Sequence, residues 1–306
     1  MIFGATKRRE ARFNSSIQPM NLSRTHQTVR LVALIGFIGI ASAQAEDALQ
    51  RRELLVDGVK REALLHVPEK AKTAPSPVIF GFHGHGGNMN NAARQYHFHK
   101  LWPEAIVIYP QGLNTPGRLT DPEGKKPGWQ SGPGDQGDRD LKFFDAMLAE
   151  LHKNFQVDDK RIYSSGHSNG GGFTYLLWAT RGDKFAAFAP SAAAATKNLG
   201  LIKPKPVLHI AGENDPLVKY AWQQATMETI RKVNQCVAGQ PWELDNNCTY
   251  YPSPIGTPVV TAIHPGTHNY PDEAPGVILK FFKSQGAEVS VTSCAPAAVD
   301  ASSAAR

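Results

Sequence analysis

Six short apolar runs, separated by longer polar and amphipathic stretches, set the strongest limit on how this 306-residue chain folds. They are "PVIFGFHG" at 77–84, "AIVIYPQG" at 105–112, "RIYSSGHS" at 161–168, "FAAFAPSA" at 185–192, "PVLHIAGEND" at 206–215 and "PVVTAIHPG" at 258–266. Several are continuously apolar, as strands covered on both faces are. Helical patterns follow at 139–154, 171–181, 222–233 and 274–284. The alternation predicts an α/β fold, with a mostly parallel central sheet and helices on both faces.

A hairpin is predicted ahead of this sheet. The stretch "ELLVDGVKREALLHVP" at 53–68 carries Asp57-Gly58 at its centre, a strong turn signal between two apolar runs. In sheets of the predicted kind, ligand sites lie at the carboxyl ends of the parallel strands. We therefore look for chemistry in the segments that directly follow the apolar runs.

The first 45 residues are predicted to be a signal peptide. Arg30 precedes the short apolar run "LVALIGFIGIASAQA", which ends in small residues suited to cleavage after Ala45. Met20 is an alternative start, because the segment after it is a compact signal by itself. An uncleaved anchor remains the alternative, although the run is short for a membrane span. We expect a secreted or periplasmic protein with no stable membrane insertion once the signal is removed.

Charge argues against a nucleic-acid partner. The formal net charge is +6, and residues 1–45 hold six cations and one anion, a net of +5. Subtracting that +5 leaves +1 for residues 46–306, so the body of the chain is nearly neutral. Binding to a polyanion draws on a dense cationic face, which this composition does not provide.

The stretch "RIYSSGHSNGGGF" at 161–173 sets Ser168 between small residues where a strand is predicted to end and a helix to begin. This Gly-x-Ser-x-Gly pattern on a strand–turn–helix is the nucleophile elbow of the α/β-hydrolase fold, and we predict that fold here. A serine hydroxyl is a poor nucleophile at neutral pH. It needs a base, and the base needs an orienting carboxylate.

The partners of Ser168 are sought downstream, because the α/β-hydrolase order is Ser, then Asp or Glu, then His. In "HIAGENDPLV", Asp215 follows a buried strand and is the favoured acid, with Glu213 as the rival. In "AIHPGTHNYP", His268 lies in a loop and is the favoured base, with His264 as the rival.

An oxyanion hole completes the predicted site. The glycine-rich stretch "FGFHGHGGN" at 80–88 follows the first long buried strand. We predict that the amide of Asn169 and an amide near His85 hold the negative charge of a tetrahedral intermediate.

Metal, cofactor and disulfide predictions rest on few residues. His83-x-His85 and His97-x-His99 are spaced to chelate zinc on a strand. The oxyanion loop accounts for the first pair and no acidic or cysteine ligand lies near the second, so we predict no metal and no cofactor. Export permits disulfides. Cys236 and Cys248 are the predicted pair and Cys294 the free thiol, with three reduced thiols as the alternative.

Several motifs together resemble a known family. They are "HGHGGN" at 83–88, "YPQG" at 109–112, "GWQSGPGDQGDRDLKFF" at 128–144, "DDKRIYSSGHSNGGGF" at 158–173, "FAAFAPSAA" at 185–193, "GENDPLV" at 212–218 and "HPGTHNYP" at 264–271. From about Asp57 to Gln285 the chain resembles the secreted α/β-hydrolase esterases that include feruloyl esterases, acetylxylan esterases and poly(3-hydroxybutyrate) depolymerase-like proteins. The resemblance implies a catalytic domain over 46–286 and leaves 287–306, rich in Ala and Ser, as a flexible tail.

The resemblance also implies roles for single residues. It makes Ser168 the nucleophile, Asp215 the acid and His268 the base of an enzyme acting on an ester substrate. It places Trp129 and Gln130 beside the cleft. It gives Asp140 a structural role ahead of a helix. The family's Gly-His-x-Trp-Pro context is replaced by Thr267-His268-Asn269-Tyr270-Pro271, so we expect Tyr270 to contact substrate where the family has tryptophan.

Within this family the chain looks closest to feruloyl esterases, which act on plant cell-wall polysaccharide. Trp129, Tyr220, Trp222, Trp242 and Tyr270 are candidates for an aromatic wall, and core or surface packing is the alternative for each. A polyester or oligoester hydrolase and an acetylxylan esterase remain alternative activities. A binding relative that has lost its chemistry is the non-enzymatic alternative.

Overall fold

The computed structural model describes residues 49–286. Its strands run β1 Gln50–Val56, β2 Val59–His66, β3 Ser76–Phe82, β4 Ile106–Pro110, β5 Leu113–Asn114, β6 Pro127–Gly128, β7 Val157–His167, β8 Ala187–Ser191, β9 Val207–Gly212, β10 Gln240–Trp242, β11 Asp245–Tyr251 and β12 Val259–His264. Ten of these described strands form one sheet in the order β1-β2-β4-β3-β7-β8-β9-β12-β11-β10, and β5 pairs with β6 separately.

The centre of the sheet is parallel and its margins are antiparallel. From β4 through β3, β7, β8 and β9 to β12, each neighbouring pair is parallel. The β1–β2 hairpin and the β10–β11 pair add antiparallel strands at the two edges. The predicted α/β-hydrolase sheet is confirmed, because its core strands are the apolar runs and all their carboxyl ends meet at one edge.

Helices cover both faces of the sheet. They are α1 Met89–Tyr96, α2 Phe98–Leu101, α3 Arg139–Asn154, α4 Asn169–Arg181, α5 Tyr220–Val233 and α6 Ala274–Gly286. Strand β3 shows how the faces divide: Val78, Phe80 and Phe82 pack with α3 and α4, whereas Ile79 packs with α1 and α6. All seven residues of β3 are buried, which explains why this strand reads as an unbroken apolar run.

The predicted hairpin at the amino end forms as expected. Strands β1 and β2 pair in register from Gln50–Leu65 to Val56–Val59. Asp57 and Gly58 both have positive φ, 49° and 76°. That is the backbone of a two-residue type I′ turn, which Asp-Gly favours.

Asp140 has the structural role that the family resemblance implies. It lies buried in the first turn of α3, where its carboxylate pairs with the buried guanidinium of Arg61 on β2 at 2.8 Å. The second carboxylate oxygen accepts the Gln130 amide. Burial lowers the pKa of Arg61 despite the favourable charge of Asp140. This ion pair fastens α3 to the hairpin.

The predicted Cys236–Cys248 disulfide is wrong, because both cysteines are free thiols. The reason is the sheet between them. Cys236 packs at the α3–α4 face, whereas Cys248 on β11 is buried in the α1–α6 face. Burial raises the pKa of Cys236 and raises that of Cys248 to about 11, so both stay protonated at neutral pH.

The predicted signal peptide and tail, with Cys294, lie outside the described residues. Within 49–286, none of the helices combines the length and the apolar content needed to cross a bilayer.

Candidate active site

Ser168 lies at the sharp turn between β7 and α4. Its backbone has φ 57° and ψ −120°, a conformation that side chains other than glycine rarely adopt. Neighbouring glycines permit the turn: a Cβ on Gly166 would collide with the Gly170 carbonyl, and one on Gly170 would collide with the Phe82 carbonyl. The amide of Ser168 is held by the Ser191 carbonyl at 2.8 Å. The turn therefore aims the Ser168 hydroxyl outward at the carboxyl edge of the sheet.

The structure brings Ser168, His268 and Asp215 together from three separate loops. His268 Nε2 lies 2.7 Å from Ser168 Oγ, and His268 Nδ1 lies 2.7 Å from Asp215 Oδ2. Because a carboxylate only accepts, Nδ1 carries the proton, and the neutral ring then presents Nε2 as the acceptor for the serine hydroxyl. This is the geometry of an activated serine nucleophile.

Asp215 is held in place by backbone amides. Its Oδ1 accepts the amides of Leu217 and Val218 at 2.8 and 2.9 Å, and its side chain is fully buried. The two rival residues point elsewhere. The Glu213 amide bonds to the carbonyl of His264, and the His264 ring accepts the Gly266 amide.

A buried chain of hydrogen bonds continues behind Asp215. Gln223 Nε2 donates to Asp215 Oδ2 at 3.3 Å and to the Val218 carbonyl at 2.7 Å. Its amide oxygen accepts from His209 Nε2, and His209 Nδ1 accepts the Tyr175 hydroxyl at 2.6 Å. Burial lowers the pKa of His209 to about 4, so the ring is neutral at pH 7. The sequence gave no signal for this chain, because its members lie on separate elements.

His167, next to the nucleophile, supports the loop that carries the base. Its Nε2 donates to the carbonyl of His268 at 2.9 Å, and its Nδ1 lies 3.1 Å from the Ser191 hydroxyl. Burial, together with the nearby His268 ring, lowers the pKa of His167 to about 4. The neutral tautomer that donates to the loop is thereby the stable one.

The glycine-rich stretch after β3 lies beside Ser168, as an oxyanion loop requires. A Cβ on Gly84 would stand 3.6 Å from Ser168 Cβ. The amides of Gly86 and Gly87 are taken by the carbonyls of Pro127 and Gly84. Among the described residues, the amide of His85 has no carbonyl partner.

The second predicted oxyanion donor is the amide of Asn169. It is the first residue of α4, where amides have no partner within the helix. The Asn169 side chain is engaged separately, since it accepts the Trp129 amide and donates to the Trp129 carbonyl. The geometry is consistent with a two-amide hole, and its role in catalysis stays a prediction.

The histidine rings of this loop are used within the protein. Both nitrogens of His83 are bonded, Nδ1 to the Gly84 carbonyl and Nε2 to the Gly112 amide. Burial lowers the pKa of His83 to about 4. His85 Nε2 donates to Asp121 at 3.1 Å.

Three predicted substrate contacts are wrong, because Trp129, Gln130 and Tyr270 are buried outside the cavity. The Trp129 indole donates to the His83 carbonyl and packs edge-on against Phe82. The Gln130 side chain supports the start of α3.

Tyr270 stacks on the far side of the base, where its ring lies 5.5 Å from the His167 ring. Pattern matching found these residues near the site, but the sheet edge lies between them and the opening.

Ser168 opens into a cavity of about 1000 Å³. One side is apolar, with Leu217, Val218 and Trp222 beside Ala193 and Ala194. The other side is formed by the loop 116–120 with Lys126, next to the oxyanion loop. Of the predicted aromatic wall, only Trp222 lines this cavity. The loop 116–120 was missed, because it carries no apolar periodicity or motif.

The sheet, the strained serine and its two partners define an α/β-hydrolase with a serine nucleophile site. The model of the prolyl oligopeptidase family matches residues 128–201, which include the turn at Ser168 but not Asp215 or His268. Among solved structures, a ferulic acid esterase matches with a TM-score of 0.54 at 14% identity, over 78% of this chain and 97% of that one. An acetyl xylan esterase from Aspergillus awamori gives 0.53 at 13%, over 76% and 99%. These likenesses establish the fold.

Sequence relatives narrow the class. A bifunctional acetylxylan esterase/xylanase of Neocallimastix patriciarum is 28% identical over 61% of this chain and 26% of its own length. Feruloyl esterase C of Emericella nidulans is 27% identical over 62% and 71%, and a probable feruloyl esterase C of Aspergillus flavus 28% over 56% and 62%. The chain spans less than two thirds of the length of the first curated relatives it matches. It is an α/β-hydrolase related to the feruloyl esterases C and acetylxylan esterases.

Proposed function

We propose that this protein is a serine carboxylesterase that hydrolyses hydroxycinnamoyl esters on plant cell-wall polysaccharide. One observation carries the proposal: an unbroken hydrogen-bond path from Asp215 through His268 to Ser168 ends in an open cavity. Such a path has a chemical use only where a substrate reaches the hydroxyl.

The reaction proceeds in two halves. His268 Nε2 takes the proton of Ser168, whose Oγ attacks the ester carbonyl carbon. The tetrahedral intermediate collapses, the alcohol leaves with the proton from His268, and an acyl-serine forms. Water, deprotonated by the same ring, then attacks the acyl-serine and releases the acid. Asp215 stabilises the imidazolium that forms in each half.

Negative charge on the carbonyl oxygen is met by the amides of His85 and Asn169. Both sit at rigid points, one in a glycine-bounded turn and the other at the start of α4. Removing such a donor costs about 3 kcal/mol of barrier in serine hydrolases.

The hydroxycinnamoyl preference is supported by the apolar side of the cavity and by the relatives named feruloyl esterase C. Trp222, 42% exposed, offers a flat aromatic face at that side. Acetylxylan esterase activity is the second candidate, favoured by the match to the Neocallimastix patriciarum protein.

Export to the cell exterior or the periplasm is part of the proposal, and it rests on the sequence of residues 1–45. Sequencing the amino terminus of protein recovered outside the cytoplasm tests it. A mature chain that begins at Glu46 supports the cleavage site, and protein retained in the cytoplasm with residues 1–45 intact contradicts it.

The central test is the Ser168→Ala variant, compared with wild type on methyl ferulate, acetylated xylan and hydroxybutyrate oligomers. We expect methyl ferulate to be hydrolysed fastest, and kcat to fall about 10⁴-fold or more in the variant with its fold unchanged by circular dichroism. A fluorophosphonate should label wild type at Ser168. Failure to label, with no turnover of any ester, would identify a binding protein instead.

A further inference from the structure

The two sides of the cavity differ in charge as well as in polarity. Arg118 and Lys126 line the side formed by the loop after β5, and Lys197 lies at the opposite rim. No aspartate or glutamate is among the residues of 49–286 that line the cavity. The space in front of Ser168 is therefore electropositive.

Two of these cations have no internal partner. Lys197 pairs with Asp135 at 2.5 Å, so its charge is largely answered. Arg118 and Lys126 form no ion pair with a carboxylate anywhere in the described chain. The neighbouring Lys125, which does not line the cavity, pairs with Glu123.

The nearest carboxylate, Asp121, is spent on holding the loop together. Its Oδ2 accepts the ring of His85 at 3.1 Å and the amide of Lys126 at 2.8 Å. Its backbone closes a turn with Gly117 through two 2.8 Å hydrogen bonds. The loop that carries the two cations is thus tied to the oxyanion loop.

The position of Lys126 follows from the packing of its stem. A Cβ on Gly86 would lie 3.4 Å from Lys126 Cδ, so the stem crosses the oxyanion loop. On the same loop, Gly117 packs against the His85 ring. Both cations therefore stand on the side of Ser168 opposite the apolar wall of Leu217 and Trp222.

We propose that the ester substrate carries a negative charge, a carboxylate or a similar small anion, on the portion that lies against Arg118 and Lys126. The portion on the other side of the scissile bond is apolar and lies against Trp222. This inference rests on the proposed esterase function and names its substrate class more closely. Opposite charge raises the local substrate concentration and the association rate, and the effect falls with salt because exposed charges are screened.

The experiment compares ester pairs that differ only by a carboxylate and a carboxamide. para-Acetoxybenzoate and para-acetoxybenzamide place the difference on the alcohol side. Monomethyl adipate and the methyl ester of adipic acid monoamide place it on the acyl side. We expect wild type to show a higher kcat/KM for the anion in one of the two pairs, and that pair identifies which half of the substrate lies on the cationic loop.

The variants Arg118→Gln and Lys126→Gln should each lower kcat/KM for the preferred anion about three- to five-fold, and together about ten-fold. The carboxamide should be unaffected. Lys125→Gln removes the same charge from the adjacent position outside the cavity and is the matched control. Raising the salt concentration should reduce the wild-type preference but not the rate on the carboxamide.

Equal rates on both members of both pairs would overturn the inference while leaving the esterase function intact. So would an effect of Lys125→Gln as large as that of Lys126→Gln, because net charge alone would then explain it. Absence of Ser168-dependent turnover on all four esters would instead overturn the esterase function. In that case, binding of the same compounds to the Ser168→Ala variant, followed by Trp222 fluorescence, decides the charge preference separately.

Discussion

At the scale of single residues, the backbone around Ser168 shows most directly how sequence and chemistry are linked. Gly166 and Gly170 were predicted to be small for steric reasons, and the structure gives the contacts that a methyl group would meet. The same reasoning did not extend to Trp129 or Gln130. Residues adjacent to a site in sequence differ in burial, and a motif does not report which side of the sheet edge a side chain occupies.

Gly170→Ala tests the close approach of α4 to β3. The added methyl would meet the Phe82 carbonyl, which is backbone and cannot rotate away. We expect a loss of about 1–3 kcal/mol in the free energy of unfolding and slower fluorophosphonate labelling of Ser168.

Gly172→Ala is the matched control for this substitution. It lies in the same helix, and nothing is within 4 Å of its added methyl. Its higher helix propensity should raise the free energy of unfolding by up to about 1 kcal/mol. Urea denaturation measures both variants, and equal stability of the two would contradict the steric argument.

Gln223→Met tests whether the buried chain behind Asp215 positions the acid. The substitution keeps the volume but leaves the buried His209 Nε2–H without its acceptor and Asp215 Oδ2 without one donor. We expect a stability loss of about 1–3 kcal/mol. We also expect kcat to fall about ten-fold with KM changed by less than two-fold, since Gln223 does not line the cavity.

The neighbouring Gln224 is exposed on the same helix, so Gln224→Met should change neither quantity. A Gln223→Met enzyme with full kcat would show that the Leu217 and Val218 amides suffice to hold the carboxylate.

At the scale of elements, the apolar runs located the parallel strands well. The run at 77–84 became Ser76–Phe82, and the helix predicted at 139–154 has those bounds. The short helices α1 and α2 and the β10–β11 pair were not predicted. Each of these is held by contacts distant in sequence, such as the Tyr96 hydroxyl donating to the Phe82 carbonyl, rather than by a strong local pattern.

Arg61→Met tests the attachment of α3 to the hairpin. The substitution leaves the Asp140 carboxylate buried without its guanidinium partner, and it removes the Arg61 contact with the Phe143 ring. A broken buried pair costs about 3–5 kcal/mol in the free energy of unfolding. Adding Asp140→Asn to this variant removes the unpaired charge and should recover part of the loss.

Lys142→Met is the control for Arg61→Met. It breaks the exposed Lys142–Asp57 pair, which joins the same helix to the turn of the same hairpin. Exposed pairs contribute about 0–1 kcal/mol, so this variant should unfold at nearly the wild-type urea concentration. Comparable losses in the two variants would mean that burial does not set the strength of this attachment.

At the scale of the whole molecule, the sheet separates two apolar cores, and this separation decides several outcomes together. It keeps Cys236 and Cys248 apart, although their spacing in sequence suggested a pair. It also encloses polar side chains that composition alone does not reveal as buried. Among them are three imidazoles, those of His83, His167 and His209.

These three imidazoles predict how stability depends on pH. Burial lowers the pKa of each from 6.5 to about 4, so the folded state keeps them neutral where the unfolded state takes up protons. Between these values the unfolded chain binds more protons, and the free energy of unfolding falls as the pH falls. Above about pH 6.5 neither state is protonated at these rings, and their effect on stability is constant.

Each ring should contribute about 1 kcal/mol per pH unit through this window, and the three together about 3 kcal/mol. Urea denaturation at several pH values from 7.5 to 5.0 measures the slope, in a range where most carboxylates remain ionised. His209→Gln, which leaves His83 and His167 in place, should lower the slope by about one third. A stability that is flat from pH 6.5 to 5.0 would mean that these rings take up protons in the folded protein. The hydrogen bond by which neutral His167 supports the loop of His268 would then not be what orders that loop.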